Sequence, residues 1–229
     1  MILFLPGLIC DRSIYAPQIA AFAGARVVDG YGLADTLPEM ARIALEQAPE
    51  GRFDLFGHSM GGRVALEVFR LAPERVRRIA LVSTGAHPVQ PNEPEKREAL
   101  KAVGYNHGFE QLVDQWLAPM VAEANRSTDA YREMREMCIA AGQDVFDAQI
   151  HALVNRPEQE SLLSEIACPA LVMTGELDSW APPAQHEAMA SRIEDAELVV
   201  VPGAGHMIMR EAPEAVNDAI SDWLERPAA

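Results

Sequence analysis

The chain has 229 residues, 49% of them hydrophobic, enough apolar content to bury the core of one domain with room for an inserted subdomain. Thirty-four acidic against nineteen basic residues leave a formal charge of −15 spread along the sequence, a field that repels nucleic acid and anionic membrane surfaces. No apolar run approaches ~20 residues, so no transmembrane helix is expected.

In chain order, a short apolar run predicts a first strand at Ile2 to Leu5 and a second follows at Arg26 to Val28. Helical spacing covers Leu37 to Gln47, then a strand at Phe53 to Phe56 leads into a helix at Met60 to Leu71 and a strand at Ile79 to Val82. Later come a strand at Ala170 to Thr174, a helix at Pro183 to Arg192, a strand at Leu198 to Val201 and a helix at Pro213 to Leu224. Proline at the start of the last two helices suits a first-turn position. This alternation implies a parallel sheet covered by helices.

The alternation breaks between about residues 86 and 165, where no strand pattern is found. Phe109, Leu112, Val113, Trp116, Leu117 and Met120 recur at helical intervals, as do Tyr131, Met134 and Cys138, then Phe146, Gln149, Ile150 and Leu153. The segment reads as a helical insertion of about three or four helices. The division is therefore a core of residues 1–86 and 166–229 with an inserted subdomain at 87–165.

The most informative stretch is Gly57-His58-Ser59-Met60-Gly61, a G-x-S-x-G pattern between a strand and a helix. Such an elbow turns sharply at the serine, and small residues must flank it where a Cβ would meet neighbouring backbone. A serine nucleophile needs a base, and that imidazole needs a carboxylate to fix its tautomer. Asp178, past the fifth strand, and His206, past the sixth, fit these roles. All three lie beyond strand C-terminal ends, the edge where open parallel sheets bind ligands. The chain order Ser59, Asp178, His206 matches one of the known orders of this constellation.

Leu5-Pro6-Gly7-Leu8-Ile9-Cys10-Asp11, Gly57-His58-Ser59-Met60-Gly61-Gly62, Gly175-Glu176-Leu177-Asp178 and Gly203-Ala204-Gly205-His206 together resemble the α/β-hydrolase fold superfamily across nearly the whole chain. The resemblance implies a mostly parallel six-stranded sheet of order 2-1-3-4-5-6 flanked by helices. The N-terminal antiparallel hairpin common in the superfamily is expected to be absent. The inserted helices are expected to cap the nucleophile and shape its pocket, with Trp116, Met120, Met134 and Met137 as candidate lining for an apolar acyl site. Packing between cap helices is the rival role for those four.

An acyl-transfer oxyanion needs two preorganised N–H donors. Met60, directly after the nucleophile at a helix N-terminus, should supply one. Leu5-Pro6-Gly7-Leu8 resembles the family's His-Gly-x loop with Pro6 in place of histidine, which puts Leu8 at the second donor position.

Glu176 and Asp195 compete with Asp178, but Glu176 is close to the strand end and Asp195 precedes the last strand. His58, His87, His107, His151 and His186 compete with His206; His58 adjoins the nucleophile on a tight turn that should point it away. Cys10 lies near the oxyanion loop without a base at comparable spacing. No C-x-x-C or H-E-x-x-H pairing marks a metal site, and no dinucleotide fingerprint follows the first strand. A cofactor-free mechanism is the simplest account.

The resulting expectation is a serine hydrolase cleaving a small, largely apolar carboxylic ester or thioester through an acyl-enzyme. The same triad serves C–C bond hydrolysis or acyl transfer, and these stay open. A noncatalytic small-ligand-binding protein is the alternative of another class, although a receptor has no need of the aspartate. The expected partner is a small-molecule acyl substrate, with no nucleic acid and no membrane. Homo-oligomerisation is open, since no residue pattern marks an interface. The three cysteines, Cys10, Cys138 and Cys168, and the absence of a basic leader before the first strand set cytoplasmic residence as the expectation.

Overall fold

Strands buried on both faces read as near-continuous apolar runs, because neither face is left to water. In the computed structural model, which describes residues 1–228, such runs form the inner strands β1 (Ile2–Leu5), β3 (Phe53–His58), β4 (Val76–Val82) and β5 (Ala170–Gly175), with the more exposed β2 (Arg26–Val27) and β6 (Ala196–Val201) at the two edges. They pair as one sheet in the order β2-β1-β3-β4-β5-β6. Every pairing is parallel. β1, β3 and β5 are buried throughout, while the edge strand β6 is largely accessible.

β4 begins at Val76 rather than at Ile79 because Arg77 and Arg78, which interrupt its apolar run, both reach the buried Asp54 carboxylate at the base of β3. Burial raises the Asp54 pKa, but hydrogen bonds from the two guanidinium groups outweigh it and hold the carboxylate below its ordinary range. β6 likewise starts two residues early, at Ala196, with Glu197 near Arg226 at its exposed edge.

The helices before β4 are α1 (Ala16–Ala21), α2 (Leu37–Gln47) and α3 (Met60–Leu71). Thr36 caps α2 by accepting the Glu39 N–H. Between β4 and β5 the chain forms α4 (Glu93–His107), α5 (Phe109–Leu117), α6 (Asp129–Ala141), α7 (Gln143–Val154) and α8 (Glu160–Leu163). Five helices thus stand where three or four were expected. α4 has no buried residue and so left no apolar period to read. Gly108 at φ 96° and Gly142 at φ 82° make the left-handed turns after α4 and α6. The chain ends with α9 (Pro183–Ala190), α10 (Ile208–Glu211) and α11 (Pro213–Glu225).

The core under the first strands is aromatic. Phe4 packs on Tyr15 at 4.7 Å and on Phe56 at 5.1 Å between ring centroids, and the buried Tyr15 hydroxyl donates to the Leu5 carbonyl at 2.7 Å. That bond fixes the end of β1, where the loop to Leu8 begins. Among the described residues no helix is long and apolar enough to cross a membrane.

Candidate active site

The turn at Ser59 is strained, with φ 55° and ψ −118°. A non-glycine residue there costs on the order of 1–3 kcal/mol, so the surroundings must over-determine it. They do so through the Ser59 N–H, which donates to the Val82 carbonyl at 2.9 Å, and the Ser59 carbonyl, which accepts from Thr84 Oγ1 at 2.6 Å. Close packing explains the glycines. A Cβ on Gly57 would collide with the backbone of Gly61, and one on Gly61 with the Leu5 carbonyl oxygen. The elbow can therefore sit directly against the end of β1.

His206 Nε2 lies 2.9 Å from Ser59 Oγ, and His206 Nδ1 lies 2.8 Å from Asp178 Oδ2. Asp178 is also held from its other oxygen, which accepts the Trp180 and Ala181 N–H groups at 2.9 Å each. Burial raises its pKa, but the facing His206 and these amides outweigh that and bring it down to about 2. An ionised Asp178 places the ring proton on Nδ1 and aims the Nε2 lone pair at the serine hydroxyl. The competing carboxylates are engaged elsewhere: Glu176 accepts the Gly203 N–H at 2.9 Å, and Asp195 pairs with Arg226.

Leu8 and Met60 both border the cleft above Ser59, and neither backbone N–H donates to a backbone carbonyl among the described residues. Met60 opens α3, where N–H groups point outward. The Leu8 loop is held by its neighbour Ile9, at φ 48°, whose N–H donates to Gln149 Oε1 of α7 at 2.7 Å.

Two residues that sequence reasoning did not assign to the site govern the placement of His206. Glu211 on α10 accepts the N–H groups of Gly205 at 3.1 Å, Met207 at 3.0 Å and Ala122 at 2.8 Å, so its carboxylate ties the His206 loop to the segment after α5. The His206 N–H itself donates to the Met120 carbonyl at 2.7 Å. His58, on the tight turn beside the nucleophile, donates from Nε2 to the His206 carbonyl at 3.0 Å. Burial, with the neighbouring His206, pushes the His58 pKa down to about 3, so the ring stays neutral. No local motif announces Glu211: Gly205 and Met207 are six and four residues away, but only the fold brings Ala122, 89 residues away, to the same carboxylate.

The cleft over Ser59 has a volume of about 330 Å³. Trp116 and Met120 line this cleft, whereas Met134 and Met137 are buried on the packed face of α6 and do not border it. His87 reaches the cleft wall, whereas His107 and His151 are exposed and His186 is buried beneath Thr84. Cys10, Cys138 and Cys168 are free thiols. Among the described residues no group of three His, Cys, Asp or Glu side chains could hold a metal ion.

A parallel sheet of this order, with a strained serine after its third strand and a hydrogen-bonded histidine and aspartate after its sixth and fifth, defines the α/β-hydrolase class. Residues 2–219 match the Alpha/beta hydrolase family, and the chain belongs to it and is a hydrolase. It is 28% identical over 230 residues to the dihydrolipoyllysine-residue acetyltransferase component of the acetoin cleaving system of Pseudomonas putida, a match covering 96% of this chain and 58% of that protein. It is 25% identical over 224 residues to a pimeloyl-[acyl-carrier protein] methyl ester esterase of Chromobacterium violaceum, covering 93% of this chain and 88% of the relative. Among solved structures, a thermophilic esterase from Thermogutta terrifontis superimposes with a TM-score of 0.85 at 27% identity, covering 97% of this chain and 88% of that one.

Proposed function

We propose that this chain is a serine hydrolase that cleaves a small, largely apolar carboxylic ester or thioester through an acyl-enzyme. The observation that carries the reading is the continuous relay from Ser59 Oγ through His206 to Asp178, at 2.9 and 2.8 Å. Ser59 Oγ attacks the carbonyl carbon as its proton passes to His206 Nε2, and the Leu8 and Met60 N–H groups receive the developing oxyanion. Collapse breaks the bond to the alcohol or thiol, which takes the proton from His206. Water then gives its proton to His206 and attacks the acyl carbon, and the acid leaves with Ser59 regenerated.

Residues 87–165 act as the cap, contributing Trp116 and Met120 to the acyl pocket and Gln149 to the oxyanion loop. The esterase similarity of two of the proteins compared supports an ester bond as the target. No cofactor enters this mechanism, and three free thiols suit a reducing cytoplasm.

Intact-mass analysis after fluorophosphonate treatment tests the mechanism. One adduct per wild-type chain, lost in Ser59→Ala and His206→Ala, is the expected result, and a panel of p-nitrophenyl esters then sizes the acyl pocket. A folded wild-type chain that neither forms the adduct nor turns over an ester would overturn it.

A further inference from the structure

Charge is distributed unevenly between this cleft and the rest of the molecule. The chain as a whole carries −15, yet three cations, Arg63, Lys96 and Arg97, line the cleft against a single carboxylate, Glu93. That carboxylate is already committed: Glu93 Oε1 accepts from Arg97 Nε at 2.9 Å, and both its oxygens accept from Arg156 at 2.7 Å.

Arg63 is the unusual member. It lies one helical turn beyond Ser59 on α3 and is only 7% exposed, but it makes no ion pair among the described residues. Its guanidinium donates to the His87 carbonyl at 3.2 Å, to Gln159 Oε1 at 3.3 Å and to His87 Nε2 at 3.3 Å, all neutral acceptors. Glu67, the buried acid nearest along α3, is turned instead to Arg70 and to Gln159 Nε2. Burial, then repulsion from Arg156, lower the Arg63 pKa to about 9, outweighing the longer-range attraction of Glu93, whose carboxylate is bonded to Arg156 and Arg97 instead. A buried cation that lacks its counter-charge is costly, and a ligand carboxylate would supply that charge in a bidentate fork.

We propose that the acyl group carries a carboxylate remote from the scissile carbonyl, held by Arg63 with Arg97 and the exposed Lys96 at its approach. The substrate class is then the half-esters or half-thioesters of dicarboxylic acids. This inference rests on the ester-hydrolase reading and narrows it. Trp116 and Met120 would pack the methylene chain between the two polar ends.

The test compares kcat/KM for the monomethyl esters of succinic, glutaric and adipic acids with the corresponding neutral dimethyl esters. It uses wild type, Arg63→Gln and Lys96→Gln, alongside calorimetric binding of each monomethyl ester to Ser59→Ala with and without Arg63→Gln. Wild type should prefer the anionic ester. Arg63→Gln should reduce that preference by on the order of 10- to 100-fold, and Lys96→Gln by about two- to fivefold, with 0.5 M salt mimicking the latter. If Arg63→Gln does not fold, Lys96→Gln and inhibition of wild type by adipate against hexanoate carry the comparison. Equal use of neutral and anionic esters by wild type, or a preference that survives Arg63→Gln, overturns the carboxylate site while leaving the hydrolase intact. Half-ester binding to Ser59→Ala that weakens with Arg63→Gln, in a protein whose wild type neither labels nor turns over, supports the site and removes the hydrolase.

Discussion

The Glu211 carboxylate grips the backbone on both sides of His206, accepting from the Gly205 N–H at 3.1 Å and the Met207 N–H at 3.0 Å. Because the same group also accepts from Ala122, it sets the imidazole against both the core and the segment that follows α5. Glu211→Gln replaces one acceptor oxygen with an NH2 facing N–H donors. It should cost about 1–3 kcal/mol of stability and, by displacing His206, roughly 10- to 100-fold in kcat with a smaller change in KM. Urea midpoints and steady-state kinetics on a p-nitrophenyl ester check both; an unchanged kcat would show that His206 is held by other contacts.

Ser59 stores strain that its chemistry requires. At φ 55° a glycine is relaxed where serine is not. Ser59→Gly should therefore raise stability by about 1 kcal/mol, the strain relieved less the added freedom of the unfolded chain, while abolishing fluorophosphonate labelling. Ser59→Ala keeps the Cβ and should lack most of that gain. Equal urea midpoints for the two variants would contradict the strain argument.

Gln149 is a buried side chain of α7 whose Oε1 accepts the Ile9 N–H. Gln149→Leu preserves bulk but orphans that amide beside Leu8, the proposed oxyanion donor. The expected loss is about 1–3 kcal/mol in stability, with a fall in kcat that exceeds any change in KM. Hydrogen exchange at Ile9 should accelerate in the variant, and unaltered protection there would refute the assignment.

Acid should weaken the fold before the carboxylates titrate. Burial, the largest cause for both, holds His58 down to about 3 and His186 to about 4, against about 6.5 in an unfolded chain. His186 accepts the Thr84 N–H at Nε2, 3.1 Å away, where a second proton cannot be accommodated. As pH falls below about 6.5 the unfolded state takes up protons that the folded state refuses, so stability drops by about 1.4 kcal/mol per unit for each ring, down towards its folded value. Asp178, depressed to about 2, adds a loss of the same sign as pH falls from about 4 through about 2. Urea unfolding from pH 7 to 4.5 should show the slope, and His186→Gln should flatten it. A stability that is level over that range would exclude the buried neutral rings.

The inner strands were legible in the sequence because β1, β3 and β5 are buried throughout, and that burial writes itself as unbroken runs such as Leu171-Val172-Met173. α4 was not legible, since it has no buried residue to set a period. The same limit explains Met134 and Met137: spacing identifies the apolar face of α6 but not what that face meets, which here is protein rather than the cleft.

By itself the sequence determined the elbow glycines and the chain order of serine, aspartate and histidine, because those constraints act over a few residues or recur as motifs. Only the tertiary structure decided that Ser59, His206 and Asp178 stand in hydrogen-bonded sequence. It likewise decided that Glu211 and His58 brace His206, and that Arg63 reaches the cleft wall without a carboxylate of its own. Those relationships join residues from different strands and helices, and their energies depend on distance and burial, which exist only once the chain has packed.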